Sequence, residues 1–130
     1  MIGIVIVAHG GLAEEYRLAV EHVMGPQDNI RAVSVAAMCD RAGKEREIRA
    51  AADSVDTGDG VVVVTDIYGG SPSNLSMGAC AAPDRKIFYG ANLPALIKLA
   101  RSRGKPLDEA LSLAKAAGTR YMDVAQGPAA

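Results

Sequence analysis

Aromatic residues are scarce in this sequence: among 130 residues there is no tryptophan, one phenylalanine and four tyrosines. The apolar share of 49% is therefore carried mostly by alanine and valine, which suits helices packed closely on a β-sheet. Basic excess is missing too. Lys and Arg number 14 against 15 Asp and Glu, a net charge of −1, which excludes the electrostatic footprint of a protein whose main partner is nucleic acid. No apolar run approaches the roughly 20 residues of a membrane span. The apolar start, residues 2–8, has no Lys or Arg before it and no Ala-x-Ala pattern after it, so it reads as a buried strand and not as a secretory signal. Cysteine is limited to Cys39 and Cys80, so two free thiols and a cytoplasmic location are expected. With 22% charged residues the composition also excludes a disordered chain. One domain over residues 1–126, with a frayed tail over 127–130, is expected from the length.

What is there is an alternation of apolar β runs and helical stretches. Residues 2–8 form a continuous run dominated by β-branched side chains, the mark of a strand covered on both faces. A helix is predicted over 12–24, with Leu12, Tyr16, Ala19, Val20 and Val23 on one side and Gly25-Pro26 as its stop. A strand at 30–37, a helix at 44–54 and the strongest strand of all, 61–65, follow. A helix at 72–82, a strand at 86–89, and helices at 93–103 and 107–117 complete the pattern, with 121–125 as a short final strand. Such alternation predicts an α/β fold: a doubly wound, mainly parallel sheet of order 2-1-3-4 with helices on both faces and a C-terminal antiparallel strand. In open sheets of this kind ligands sit at the carboxyl ends of the strands where the order reverses, here between the first and third strands.

Strand one ends in His9-Gly10-Gly11 and strand three in Asp66-Ile67-Tyr68-Gly69-Gly70-Ser71-Pro72. The topology thus sets a histidine and a carboxylate side by side. A carboxylate bonded to one ring nitrogen fixes the tautomer and leaves a lone pair on the other, the arrangement of a general base or a nucleophile. Gly69 and Gly70 allow backbone N–H groups to approach a ligand closely, Ser71 is suited to cap a helix and Pro72 to begin it. Gly10 and Gly11 open the first helix in the same way. These features predict an anion site facing His9, best suited to a phosphoryl group.

Taken singly, each residue has an ordinary structural explanation: a strand-end histidine satisfied by its neighbours, an aspartate capping a turn. Their joint placement at the switch point, before a glycine-rich helix start, favours a functional reading. His22 reads as a surface residue, Met38, Cys39 and Asp40 as an ordinary loop, and Asn92 as a helix cap. No P-loop and no Gly-x-Gly-x-x-Gly follows a strand. No acidic cluster or His/Cys spacing is arranged for a metal, so neither metal nor cofactor is expected. A phosphoryl group on His9 is then expected to come from another phosphorylated protein. A histidine phosphatase or mutase would need an arginine where Ala8 stands, and a receiver domain would need an acidic pair on strand one.

The segments Ile4-Val5-Ile6-Val7-Ala8-His9-Gly10, Val64-Thr65-Asp66-Ile67-Tyr68-Gly69-Gly70-Ser71-Pro72-Ser73-Asn74 and Gly90-Ala91-Asn92-Leu93-Pro94 resemble the enzyme IIA component of the mannose family of the bacterial sugar phosphotransferase system. The resemblance runs over residues 1–123. It implies that His9 takes a phosphoryl group from the phosphocarrier protein HPr and passes it to a IIB component. It also implies that Asp66 holds the imidazole, that Gly69, Gly70 and Ser71 donate to the phosphoryl oxygens, and that 121–125 is exchanged between two subunits of a homodimer. Residues 36–43 depart from the form usual in sugar transporters, which bears on the partner-facing rim. The acceptor is expected to be a separate protein, either a IIB component or a regulatory target, with the membrane reached only through a partner permease.

Overall fold

The computed structural model describes residues 1–128. Four strands, β1 (Gly3–His9), β2 (Ile30–Val35), β3 (Val61–Thr65) and β4 (Arg85–Phe88), form one parallel sheet of order β2-β1-β3-β4. The predicted topology is therefore the observed one. Alternation along the strands sorts the side chains into two cores. Ile4, Ile6, Ala8, Val62 and Val64 face one side, where α1 (Leu12–Met24), α4 (Leu93–Arg101) and α5 (Leu107–Arg120) cover them. Val5, Val7, Val61 and Val63 face the other, under α2 (Arg41–Val55) and α3 (Ser71–Ser76). Every residue of β1 from Gly3 to Ala8 and every residue of β3 is buried, as a central strand covered on both faces requires. Gly3 is needed for close approach: a Cβ there would overlap the Val55 carbonyl at the end of α2. Among the described residues no helix is long and apolar enough to cross a membrane.

Several boundaries differ from the sequence reading, each for a physical reason. The buried stripe of α1 runs through Ala13, Tyr16, Val20 and Met24, while Leu12 and Val23 are 38% and 48% exposed. The predicted helix at 72–82 breaks after Ser76 into a separate 3₁₀ turn at Gly78–Cys80. Ser76 Oγ bonds back to the Pro72 carbonyl at 2.6 Å, a contact that loosens a helix, and Gly78 adds a poor helix former. The fourth helix stops at Arg101 because Arg103 turns inward: its Nε donates to Ile2 O at 2.8 Å and its Nη2 to Asn29 O at 2.9 Å. The expected strand at 121–125 does not form. α5 continues to Arg120, and residues 122–128 lie exposed without sheet partners. The expected tail at 127–130 extends beyond the described residues at 129 and 130.

Candidate functional site

The site forms where β1 and β3 end together. Parallel register sets Val7 beside Thr65, so His9, two residues past Val7, and Asp66, one past Thr65, leave the sheet at the same edge. Asp66 Oδ2 accepts twice from His9, from the backbone N–H at 3.0 Å and at the ring Nδ1 at 2.8 Å. Burial pushes the Asp66 carboxyl up, but the bonds from the His9 backbone and ring outweigh it and hold the group below its ordinary value of 3.8. An ionised carboxylate can only accept, so Nδ1 carries the ring proton and Nε2 keeps its lone pair. The imidazole is 53% exposed while the carboxylate is 12% exposed. The pair therefore presents an oriented nucleophilic nitrogen to solvent from a fixed, mostly buried anion. The second carboxylate oxygen, Oδ1, and the hydroxyls of Thr65 and Ser73 are buried with no partner among the described residues.

The glycines have distinct parts. Gly70 lies against the ring: a Cβ there would sit 3.2 Å from His9 Cε1 and 3.7 Å from Nε2. Gly69 has φ +80° and Gly10 φ +56°, left-handed backbone that favours glycine. Among the described residues, the N–H groups of Gly69, Gly70 and Ser71 donate no backbone hydrogen bond of normal geometry. Gly10 differs from expectation, because its N–H is already engaged with the Val35 carbonyl at 3.1 Å; it shapes the turn out of β1 and is not a free donor. Ser71 is the first residue of α3 and makes no side-chain cap, which leaves Gly70 in the capping position.

The remaining candidates fall as follows. His22 is on the surface. Met38 is 95% exposed, Cys39 packs partly against the α2 core, and Asp40 occupies the N-cap position of α2. Asn92 caps α4, accepting from Ala95 N at 3.0 Å, and its Nδ2 also donates to Gly118 O at 2.9 Å, a tie to α5 that spacing could not reveal. Both cysteines are free, and burial pushes the Cys80 thiol up to about 11. Among the described residues no group of three His, Cys, Asp or Glu could hold a metal ion. One feature was missed. Leu12, Met38, Ile67, Tyr68 and Tyr89, each following a strand end, are between 38% and 95% exposed, an apolar rim on the edge that carries His9. Within it the Tyr68 and Tyr89 rings meet at 4.5 Å with an interplanar angle of 43°. The signal was present in the sequence as large apolar residues just past the strands, where loops are ordinarily polar.

Comparison with known proteins agrees with this geometry. Residues 3–115 match the EIIA-man family model, described as PTS system fructose IIA component. The chain is 28% identical over 120 residues to the PTS system mannose-specific EIIAB component of Escherichia coli K12, covering 90% of this chain and 37% of that protein. It thus spans little more than a third of the curated relatives it matches. Among solved structures, the mannose/sorbose-specific IIA subunit from Enterococcus faecalis superposes with a TM-score of 0.85 at 23% identity, covering 98% of this chain and 97% of that one. A PTS IIA protein associated with the fucose utilization operon of Streptococcus pneumoniae superposes with a TM-score of 0.77 at 26% identity, over 88% of each chain. The chain belongs to the EIIA-man family of phosphotransferase-system IIA components.

Proposed function

We propose that the chain is a cytoplasmic phosphoryl carrier that accepts its group on His9 Nε2 from phospho-HPr and passes it to a separate IIB component. The observation that carries this reading is the 2.8 Å contact between His9 Nδ1 and Asp66 Oδ2, with the opposite ring nitrogen exposed against Gly70. In the transfer, the Nε2 lone pair attacks phosphorus in line. The bond between phosphorus and the donor nitrogen breaks, and its electron pair returns to the donor imidazole. His9 keeps the proton on Nδ1, so the phosphorylated ring becomes cationic, and the Asp66 carboxylate stabilises that charge. The open N–H groups of Gly69, Gly70 and Ser71 supply hydrogen bonds to the phosphoryl oxygens. The second transfer is the same displacement in reverse, with the IIB side chain as nucleophile.

An exposed imidazole on a sheet edge that also carries the exposed Leu12, Met38, Ile67 and Tyr68 suits a protein donor, which needs a flat apolar surface, better than a small molecule, which needs a cavity. The apolar residues Tyr121, Met122 and Val124, 67–94% exposed past α5, support exchange of 121–125 onto a sheet edge of a second copy. A regulatory target in place of IIB would use the same histidine, with the departing segment 36–43 on the rim selecting the acceptor. The test is incubation with enzyme I, HPr and labelled phosphoenolpyruvate. An acid-labile label present in the wild type and lost in His9→Ala is expected; equal labelling of that variant would overturn the reading.

A further inference from the structure

The loop between β3 and α3 is held firmly at both ends and hardly at all in the middle. At its start, Asp66 is tied to His9 by two hydrogen bonds. At its end, Pro72, Ser73 and Leu75 are buried under the sheet. Between them Ile67, Tyr68 and Gly69 are exposed, and two glycines contribute no side chain. Among the described residues the only side-chain hydrogen bond to this stretch is a long one, Asn74 Nδ2 to Gly69 O at 3.4 Å. Yet Gly70 must lie against the His9 ring, and the N–H groups beside it must stay in place if they are to serve that ring's phosphoryl group. Asn74 N also donates to Gly70 O at 3.0 Å, and on the exposed part, Ile67 to Gly69, a further restraint is the Tyr68 ring on the Tyr89 ring. Tyr89 follows β4 directly, and the chain there is pinned to the sheet by Ala91 N donating to Thr65 O at 3.1 Å. Tyr89 is thus a fixed post and Tyr68 the movable partner.

We propose that Tyr89 is a positioning residue: through its ring contact with Tyr68 it braces the Ile67–Gly70 turn against His9 and keeps the open amides aligned for transfer. The inference deepens the carrier reading and rests on it for its effect on rate. The geometric brace stands independently. An aromatic pair of this kind biases a two-state loop by about three- to tenfold.

The experiment compares wild type, Tyr89→Phe and Tyr89→Ala by backbone ¹⁵N relaxation and by the rate at which His9 is phosphorylated from phosphoramidate, a small donor without a protein surface. Tyr89 is 53% exposed, so neither variant disturbs the core. In Tyr89→Ala the order parameters of Gly69, Gly70 and Ser71 are expected to fall from about 0.85 to below about 0.6, and the rate about three- to tenfold. Tyr89→Phe should restore both. Unchanged order parameters in Tyr89→Ala, or equal loss in both variants, would overturn the brace. So would a slowing seen with phospho-HPr and absent with phosphoramidate, since that would make the ring a docking contact. If the wild type takes up no phosphoryl group the carrier reading fails, and the order parameters alone decide the brace.

Discussion

Replacing Asp66 by Asn removes the charge and keeps the shape. Oδ2 of Asp66 accepts both from the His9 backbone N–H and from Nδ1–H, and an amide oxygen could take over either bond. Two things change. A hydrogen bond to a charged group is worth about 1.5–3 kcal/mol, roughly twice a neutral one, and here it strengthens when the ring becomes cationic during transfer. Its loss costs about 10- to 100-fold in rate. In addition, the amide NH₂ can donate to Nδ1, which favours the tautomer with its proton on Nε2 and removes the nucleophilic lone pair. Together these give about 10²–10⁴-fold slower phosphorylation, in line with other oriented histidines. Rapid-quench measurement of label transfer from phospho-HPr reads the rate, and ¹⁵N shifts of the ring read the tautomer. Transfer at the wild-type rate, with Nδ1 still protonated, would remove the carboxylate from the mechanism.

Four further outcomes are expected. Gly70→Ala should keep the wild-type melting temperature, since Gly70 has φ −80°, but slow phosphorylation about 10²-fold by pushing the ring that its Cβ would meet at 3.2 Å; rate and thermal melt measured together check this. Arg103→Met leaves the carbonyls of Ile2 and Asn29 without the guanidinium and should destabilise the fold by about 2–4 kcal/mol in urea titration; a change under 0.5 kcal/mol would contradict the pin assigned to Arg103. Cys80, its thiol raised to about 11 by burial, should resist iodoacetamide at pH 8 in the native protein, and stoichiometric labelling of Cys80 within minutes would refute that burial. Asp66 and Asp56 both titrate below their ordinary value of 3.8 in the folded state, so the stability they contribute is complete above about pH 4 and is lost as pH falls below it. Urea midpoints between pH 6 and pH 2.5 should decline, and less steeply in Asp66→Asn.

Much of this was legible because the strands carry their own signal. The β-branched runs that became β1 and β3 can be stable only when covered on both faces, and that alone dictates a central parallel pair and the edge where His9 and Asp66 meet. Asn92 was legible for a similar local reason: its cap bond spans three residues. What failed was non-local. Nothing near Arg103 announces that its partners are Ile2 and Asn29, which lie 101 and 74 residues away in sequence. Gly10 reads as a free donor until β2 is in place and Val35 claims its N–H. In α1 the helical period allowed two neighbouring stripes, and the choice of Ala13 and Met24 over Leu12 and Val23 was made by the packing of α4 and the sheet. The Tyr68–Tyr89 contact joins two loops across the sheet edge, a pairing that follows from strand order and from no local pattern.

The claim on which the account stands is that one nitrogen of one histidine becomes covalently bonded to phosphorus. The direct measurement is ³¹P–¹⁵N correlation on protein labelled with ¹⁵N-histidine and phosphorylated by enzyme I, HPr and phosphoenolpyruvate. A single phosphoramidate linkage at His9 Nε2, with the proton retained on Nδ1, is the predicted result. Phosphorus on Nδ1, on His22 or on no histidine at all would contradict it.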